Sequence, residues 1–371
     1  QAEDGIRDPD HSLVGSEMCI RDRAYAGMRV IFAFSHVAGR NSYNHASESS
    51  GWYIDEVEVW KGVPSFTGVT GFEEGWEDWK TDRGVWQIGE ATSGPGGAWE
   101  GTSVAGTVLG GNYHSVQDSR LISPAFELPA VDGAQKVELR FWQWYSYSSY
   151  DAGTVQISVW DGSAWGGWET LESTAHAGTN STWAPINRDL TGYAGEKVRL
   201  GFYHTAGRNS YNHASESSGW YIDAVEIWQG EPNLSNPEGF EGGWGDWDTN
   251  HGVWQVGAPG GGPGSAYGGT NVAGTYINGN YPANTDSYLV SPITVLPEVT
   301  GSEELEFRFR HWFSYSSYDS GTVKIGSYDK DTGAWLGWTD LMSVTSGSSV
   351  WRPARPNITA YAGMRVIFAF S

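Results

Sequence analysis

Alternation is the dominant signal along this chain. Val137, Leu139 and Phe141 share one parity, as do Val155, Ile157 and Val159, and again Val198, Leu200 and Phe202. In an extended segment such residues fall on one face, so each run reads as a β-strand with an apolar side. The positions between them, including Glu138, Arg140, Gln156 and Arg199, are polar, which predicts one buried and one wet face. Turn formers follow the strands. Asp161-Gly162 closes one of them, and DKDTG at 329–333 takes the same place further on with two residues inserted, a change that a hairpin tip tolerates. DKDTG also resembles the start of a calcium loop, but its counterpart DGSAW lacks the acids, which favours a simple turn. The expected class is all-β, built as antiparallel β-sandwiches.

The pattern also recurs. Gly71-Phe72-Glu73 returns as Gly239-Phe240-Glu241, Gly84-Val85-Trp86 as Gly252-Val253-Trp254, and SYSSYD at 146–151 as 314–319, each displaced by 168 residues. AYAGMRVIFAFS at 24–35 returns unchanged at 360–371, and GRNSYNHASESSGWYID at 39–55 returns unchanged at 207–223. A fixed period marks tandem modules. The expected order is a C-terminal module remnant at 24–62, a complete module at 64–231, and a module at 233–371 without its last strand. The remnant, if folded, is expected to serve as a surrogate end for the third module. Junctions such as KGVPSFTGVT and QGEPNLSNPE hold Pro, Gly and Ser, so linkers and a beads-on-a-string arrangement are expected. Residues 2–23 share neither the alternation nor the repeat. Their EDGIRD and SEMCIRDR pieces resemble translated sequencing adapter at the ends of metagenomic reading frames, and 1–23 is set aside as such an artefact or a disordered arm.

Charge narrows the partners. Forty-four acidic against 22 basic side chains give a net charge of −22, which argues against nucleic acid; a solvated acidic surface accounts for it, although it would also attract cations. Cys19 is the only cysteine, so no internal disulfide can form. No run approaches the ~20 apolar residues of a membrane span. HExxH and GxSxG are missing, as is any cysteine nucleophile outside the first 23 residues, and no enzyme is expected. A glycosidic carboxylate pair is set by space rather than by motif, yet tandem near-copies favour binding through avidity.

Chemistry concentrates in two places. In GWYIDAVEIW, Tyr221, Asp223, Val225 and Ile227 share a parity, so Asp223 points inward with the apolar pair; Asp55 stands in the same place in the remnant. A buried unpaired carboxylate costs several kcal/mol, so Asp223 should be hydrogen-bonded, ion-paired or bound to metal. Calcium takes six to eight oxygens, and Asp118 and Asp151 are further candidate ligands, with Asp286 and Asp319 in the third module. The competing account is an aspartate capping backbone amides at a strand bulge.

The second place comprises the loops SYSSYD and GRNSYNHASESSGW, whose aromatic faces and amide and hydroxyl groups suit sugar hydroxyls or adaptable protein contacts. Tyr147, Tyr150, Tyr211, Asn212 and His213 are the candidate ligand contacts. The second loop is identical over 17 residues in two copies while the adjoining strand changes from VIFAFSHV to VRLGFYHT; a ligand or a recent duplication explains that equally well. Trp76, Trp79, Trp86, Trp144, Trp165, Trp168 and Trp183 all recur in the next copy, as Trp244, Trp247, Trp254, Trp312, Trp335, Trp338 and Trp351, and are expected in the core. Trp142, replaced by Arg310 and opposite in parity to Phe141, is the expected exposed ring and a sixth ligand candidate.

Taken in order, GFE with a following Trp, a strand ending LISP, FWQWYSYSSYDAGTVQISV, a Trp-rich hairpin, LTGYAGEKVRLGFY and GWYIDAVEIW resemble the MAM-like jelly-roll domains attached to immune inhibitor A type secreted bacterial metallopeptidases and related surface proteins. The resemblance implies a two-sheet jelly roll, a non-catalytic role, and Glu73 (Glu241 in the third module) as the partner of Asp223 in holding calcium. Two departures stand out: the long Ser/Asn-rich loop, and Ala224 where the remnant has Glu56. The expected function is an extracellular or cell-surface adhesion or substrate-targeting array that binds a glycan or protein ligand. The alternatives are a carbohydrate-binding array and the accessory tail of a secreted metallopeptidase.

Overall fold

The computed structural model describes residues 28–35, 53–55, 57, 59, 66, 68–180, 182–208, 215–232, 237–250, 252–348 and 350–371, without the side chains of 172–174, 176 and 177. The chain divides into two units, Gln1–Val63 and Pro64–Ser371. In the first, the described residues form no strand, and Ile31 is 96% exposed. The same MRVIFAFS sequence at 364–371 is a strand with Val366 and Phe368 buried. Identical residues thus take two states. The surrogate role expected of the remnant requires a strand, and its described residues supply none.

In the second unit ten strands run from residue 80 to 230. They are β1 (Lys80–Thr81), β2 (Gln87–Gly89), β3 (Val104–Gly106), β4 (Gln117–Ile122), β5 (Phe126–Glu127), β6 (Lys136–Val159), β7 (Glu169–Thr179), β8 (Ala184–Asp189), β9 (Lys197–Ala206) and β10 (Gly219–Gly230). All pair antiparallel in the order β1-β4-β9-β6-β10-β3-β2. The 24-residue β6 belongs to both layers. Its first half pairs with β10 and β8, and its second half with β9 and β7. Val137, Leu139 and Phe141 from one half and Val155 and Ile157 from the other enter one core together with Phe202 and Trp220. This is a β-sandwich, and the alternation read from the sequence marks its inner faces.

Trp220 lies at the centre of that core. It is wholly buried, 5.7 Å from Phe202 and 5.8 Å from Trp86, and its indole N–H donates to Gln143 at 2.9 Å. Gly153 lies against it so closely that a Cβ there would stand 2.5 Å from the indole.

The outer face departs from the expected wet surface. Gln156 and Arg199 are buried, because the hairpin beyond β6 folds its tryptophans over the sheet. The Arg199 guanidinium lies 4.6 Å from Trp165 and 4.7 Å from Trp168, and Arg120 lies 4.8 Å from Trp168 and 4.4 Å from Tyr203. Arg120 also pairs with Asp82 at 2.6 Å and donates to Gln156 at 2.7 Å. Cation–π contacts worth about 0.5–2 kcal/mol each replace the water these arginines would otherwise hold. Trp79, Trp86 and Trp144 are core residues as expected, whereas Trp76 is 38% exposed.

Ten further strands follow: β11 (Asp248–Thr249), β12 (Trp254–Gly257), β13 (Val272–Thr275), β14 (Leu289–Val290), β15 (Thr294–Val295), β16 (Phe309–His311), β17 (Gly321–Tyr328), β18 (Trp335–Val344), β19 (Arg352–Ala354) and β20 (Arg365–Phe370). The sheet β11-β14-β20-β17-β18 repeats the β1-β4-β9-β6-β7 layer. The other layer is in two pieces, β12 with β13 and β16 with β19. In the first sandwich β10 joins the equivalent pieces, and the counterpart of Gly219–Gly230 would fall beyond Ser371.

The two sandwiches are docked rather than strung as free beads. Arg140 holds Glu138 at 2.8 Å and Asp246 at 2.7 Å, and its guanidinium lies 3.8 Å over Trp228. The Gly252 amide donates to Asn180 at 3.1 Å, and the Gly252 carbonyl accepts from the Thr182 amide at 3.1 Å. A Cβ on Gly252 would stand 2.1 Å from the Thr182 carbonyl. Gly252→Ala is therefore expected to separate the sandwiches and raise the radius of gyration in solution scattering; an unchanged curve would show that the junction is not held there. Trp142 is correspondingly not an open ring. It is half buried, stacked at 3.4 Å and 12° on Trp99, with the edge of Trp244 at 6.2 Å.

Candidate functional site

Two carboxylates grip one loop. Glu73 follows Phe72, a buried residue at φ 59 that turns the chain before β1. It accepts the amides of Thr102 at 2.9 Å and Ser103 at 2.8 Å and the Thr102 hydroxyl at 2.9 Å. Asp223 accepts the amides of Trp99 at 2.9 Å and Glu100 at 3.1 Å on one oxygen, and that of Ala224 at 2.7 Å on the other. The bulge that aims it lies in β10, where the register to β6 shifts between Asp223 and Glu226 and Ala224 takes φ 47.

Glycines leave room for both side chains. A Cβ on Gly71 would come within 3.6 Å of an Asp223 oxygen and 4.0 Å of the Glu73 side chain. One on Gly101, at φ 69, would overlap Glu73 at 2.3 Å. Burial pushes the wholly enclosed Asp223 up to about 6 against the pull of its three amides, and the nearby Glu73 charge adds to the rise. Glu73 itself is held low by the Ser103 and Thr102 amides.

The arrangement is an amide cap at a bulge, the account that competed with the metal reading, and two carboxylates alone supply fewer than the six to eight oxygens calcium takes. No lysine or arginine among the described residues pairs with either carboxylate. Hard oxygen donors without a counter-charge are the chemistry that suits calcium. Glu241 repeats half of the pattern, accepting the amides of Thr270 and Asn271, both at 2.9 Å. Asp55 is exposed in the first unit.

The remaining acids do not converge on this pair. Asp118 is held by Arg83 and accepts the Tyr203 hydroxyl at 3.2 Å; Asp286, its counterpart, is exposed. Asp151 is buried and accepts the Tyr113 hydroxyl at 2.5 Å, the Ser148 hydroxyl and the Gly207 amide at 2.7 Å. Asp319 repeats this with Tyr281 at 2.7 Å and with Ser316. Among the described residues, no three His, Cys, Asp or Glu side chains come together as a metal cluster. Asp118, Asp151, Asp286 and Asp319 are thus engaged or placed elsewhere. The DKDTG turn has its own use for Asp329, which accepts the amides of Asp331 and Thr332.

Asp151 instead braces the second candidate region. SYSSYD is the bend where β6 passes from one layer to the other, and it holds both ends of the Ser/Asn-rich loop. Asp151 takes the Gly207 amide at one end, and at the other Ser148 donates to the Ser215 carbonyl at 3.1 Å while Ser146 meets Ser217 at 2.6 Å. Tyr147 is buried, with its hydroxyl 2.8 Å from His204 Nδ1, so it supports the bend and faces no ligand. Burial drives His204 down to about 4. Tyr150, by contrast, is 67% exposed at φ 75, and Tyr318 is 99% exposed. Tyr211, Asn212 and His213 lie outside the described residues. Sequence reasoning missed Tyr113 as part of the brace, although it recurs as Tyr281 in step with SYSSYD.

The class these observations define is an all-β protein of antiparallel sandwiches. No helix among the described residues is long and apolar enough to cross a membrane. No family model matches the chain. It is 28% identical over 143 residues to Bacillopeptidase F of Bacillus subtilis (strain 168), a stretch that spans 38% of this chain and 9% of that protein. Among solved structures, it aligns with the N-terminal CBM22-1-CBM22-2 tandem domain from Paenibacillus barcinonensis Xyn10C at 14% identity and a TM-score of 0.28, covering 84% of this chain and 91% of the other. The K3 cleaved adhesin domain of Lys-gingipain from Porphyromonas gingivalis w83 aligns at 20% identity and a TM-score of 0.26, covering 43% and 97%.

Proposed function

We propose that the chain is part of a secreted, non-catalytic binding array whose sandwiches present a loop rim to an extracellular glycan or protein, and that calcium stabilises each complete sandwich at Glu73 and Asp223. Tyr150 carries the ligand reading. An exposed tyrosine held at φ 75 stands where SYSSYD ties down both ends of the Ser/Asn-rich loop. A non-glycine residue at positive φ is uncommon, and backbone strain of order 1–3 kcal/mol gathers at binding sites. The order of motifs supports a MAM-like kinship, and the likeness to a short stretch of Bacillopeptidase F supports a place as one segment of a larger protein.

Glycan-array screening of the whole chain, followed by Tyr150→Ala, tests the rim. Stacking of a sugar on an exposed aromatic is expected to make that variant lose roughly tenfold or more in affinity, the equivalent of about 1.4 kcal/mol. Binding that is equal in the variant would remove Tyr150 from the site. A chain that binds protein but no glycan would favour the adhesion form of the reading.

A further inference from the structure

A cleft of about 130 Å³ lies at the junction between the two sandwiches. Trp142, Pro185, Asn187 and Glu226 line it from the first sandwich, and Trp244 and Gly245 from the second, so neither sandwich contains it alone. The volume is far above the roughly 10–15 Å³ that one water needs and below the ~300–1,000 Å³ of pockets for drug-sized ligands. It suits one ring of a larger molecule. We propose that this cleft binds a single pyranose residue of a neutral glycan, at a site separate from the Tyr150 rim.

The aromatic walls are held in place. Trp99 stacks on one face of Trp142 at 3.4 Å, and the Trp244 ring stands at 81° to Trp142, so two indoles meet at a corner. Strand register sets the rest. Pro185 pairs with Trp142 across β8 and β6, and two residues along β6, Asn187 and Glu226 are the partners of Arg140 on either side. Indole rings give the C–H groups of a sugar an apolar surface, and the polar pair lies beside them.

The unpaired polar groups select the ligand. Arg140, the one basic residue lining the cleft, is already paired with Glu138 and Asp246 and covered by Trp228. No free cation among the lining residues is left for an acidic sugar or a phosphate, and Glu226 would repel either. The side chains of Trp142, Trp244, Asn187 and Glu226 make no hydrogen bond or ion pair among the described residues. They offer two indole N–H groups, an amide that donates and accepts, and a carboxylate that accepts. A sugar hydroxyl both donates and accepts and so can use all of them, whereas an ammonium group would leave the donors unused.

Comparison of the copies shows what is particular to this cleft. Arg140 and Pro185 recur as Arg308 and Pro353, but Trp142 and Asn187 become Arg310 and Arg355. On the other wall, Gly245 stands where the earlier copy has Glu77, in a similar backbone conformation at φ 55 against φ 47. A Cβ on Gly245 would meet nothing within 4 Å, so this glycine borders open space. The site belongs to this junction rather than to every module.

Calorimetric titration of the whole chain with xylohexaose and cellohexaose, both neutral, tests the proposal. Binding is expected with at least one of them, and Asn187→Ala and Glu226→Ala should each weaken it roughly fivefold or more, the worth of a lost hydrogen bond. Both side chains are free of other partners, so the melting temperature and the radius of gyration should stay as they are. Gly245→Glu should abolish binding at an unchanged melting temperature, since Glu77 already occupies that conformation in the earlier copy. Tyr150→Ala should leave this binding intact. Failure of both oligosaccharides to bind at millimolar concentration overturns the proposal, as does binding that the cleft variants leave unaltered. Binding lost in Tyr150→Ala alone would uphold the rim and remove the cleft. Tighter binding of a chitosan hexamer, lost in Glu226→Gln, would overturn the proposal by making the cleft a cation site.

Discussion

Chelation of calcium is expected to lower the melting temperature of the chain at pH 7 by roughly 5–10 °C, and Asp223→Asn to erase that difference. The reasoning starts from the cost of the empty pair. A folded-state value of about 6 against an ordinary 3.8 is a penalty of about 3 kcal/mol for ionising Asp223 at neutral pH. A cation removes the penalty, and at a hundredfold excess over Kd it adds about 2.7 kcal/mol. In chelator the variant should melt close to the wild type. Relief of the charge is offset by the loss of one acceptor among three buried amides, itself worth about 1–3 kcal/mol. Calorimetric melts of both chains with and without calcium decide the matter; a wild-type curve that ignores the ion would leave Asp223 as an amide cap alone.

The same residue has a pH signature. Its folded value is raised, so without calcium its favourable contribution is complete below about 3.8 and lost as pH climbs through about 6. His204 is shifted the other way. Its folded value is lowered to about 4, so its contribution is complete above about 6.5 and lost as pH falls through 4. Over this shared window the two slopes oppose each other, and the calcium-free wild type should vary little with pH. Asp223→Asn should expose the His204 slope, with stability rising by about 3 kcal/mol from pH 4 to 6.5. Denaturant titrations across that range would read it, and a flat profile in the variant would count against the assignment.

Trp220→Ala is expected to be the most destabilising single change in the first sandwich, at about 3–5 kcal/mol. The indole is wholly enclosed, meets Phe202 edge-on and Trp86 at a tilt, and bonds Gln143, a buried polar side chain that would lose this partner. Gly153 lies against the ring, and collapse of the cavity would have to move β6, which both layers share. Urea unfolding of the whole chain measures the loss. A cost below about 1 kcal/mol would mean that the core relaxes around the gap far more than close packing permits.

The inner faces were legible in the sequence because alternation reports burial directly: Val137, Leu139 and Phe141 needed no knowledge of their neighbours. The outer face was not. Arg199 read as a wet position, and only the return of Trp165 and Trp168 over the sheet covers it. Local sequence cannot say what will fold back onto it. MRVIFAFS makes the point within one chain, as a buried strand at one end and an exposed segment at the other. At the candidate site, parity placed Asp223 inward and the order of motifs pointed to Glu73. Asp118 and Asp151 were acids of the right kind in the wrong place, and their distance from the pair depends on how β4 and β6 are arranged. Trp142 was misread because its cover comes from Trp99, distant in sequence but stacked on it, with the edge of Trp244 from the next sandwich beside it; parity within one strand reveals neither contact.

The position of β10 between β3 and β6 bears on how such a chain is made. The strand that closes one layer is the last of its sandwich to leave the ribosome, so each module waits, with an open slot in its sheet, until some 80 residues after the start of β6. During that wait the neighbouring modules offer almost the same strand, and cross-pairing between similar repeats is a known route to misassembly. Near-identity along the array therefore carries a hazard during synthesis. Differences such as Ala224 in β10 against Glu56 at the matching sequence position are where selection for correct pairing would leave its mark.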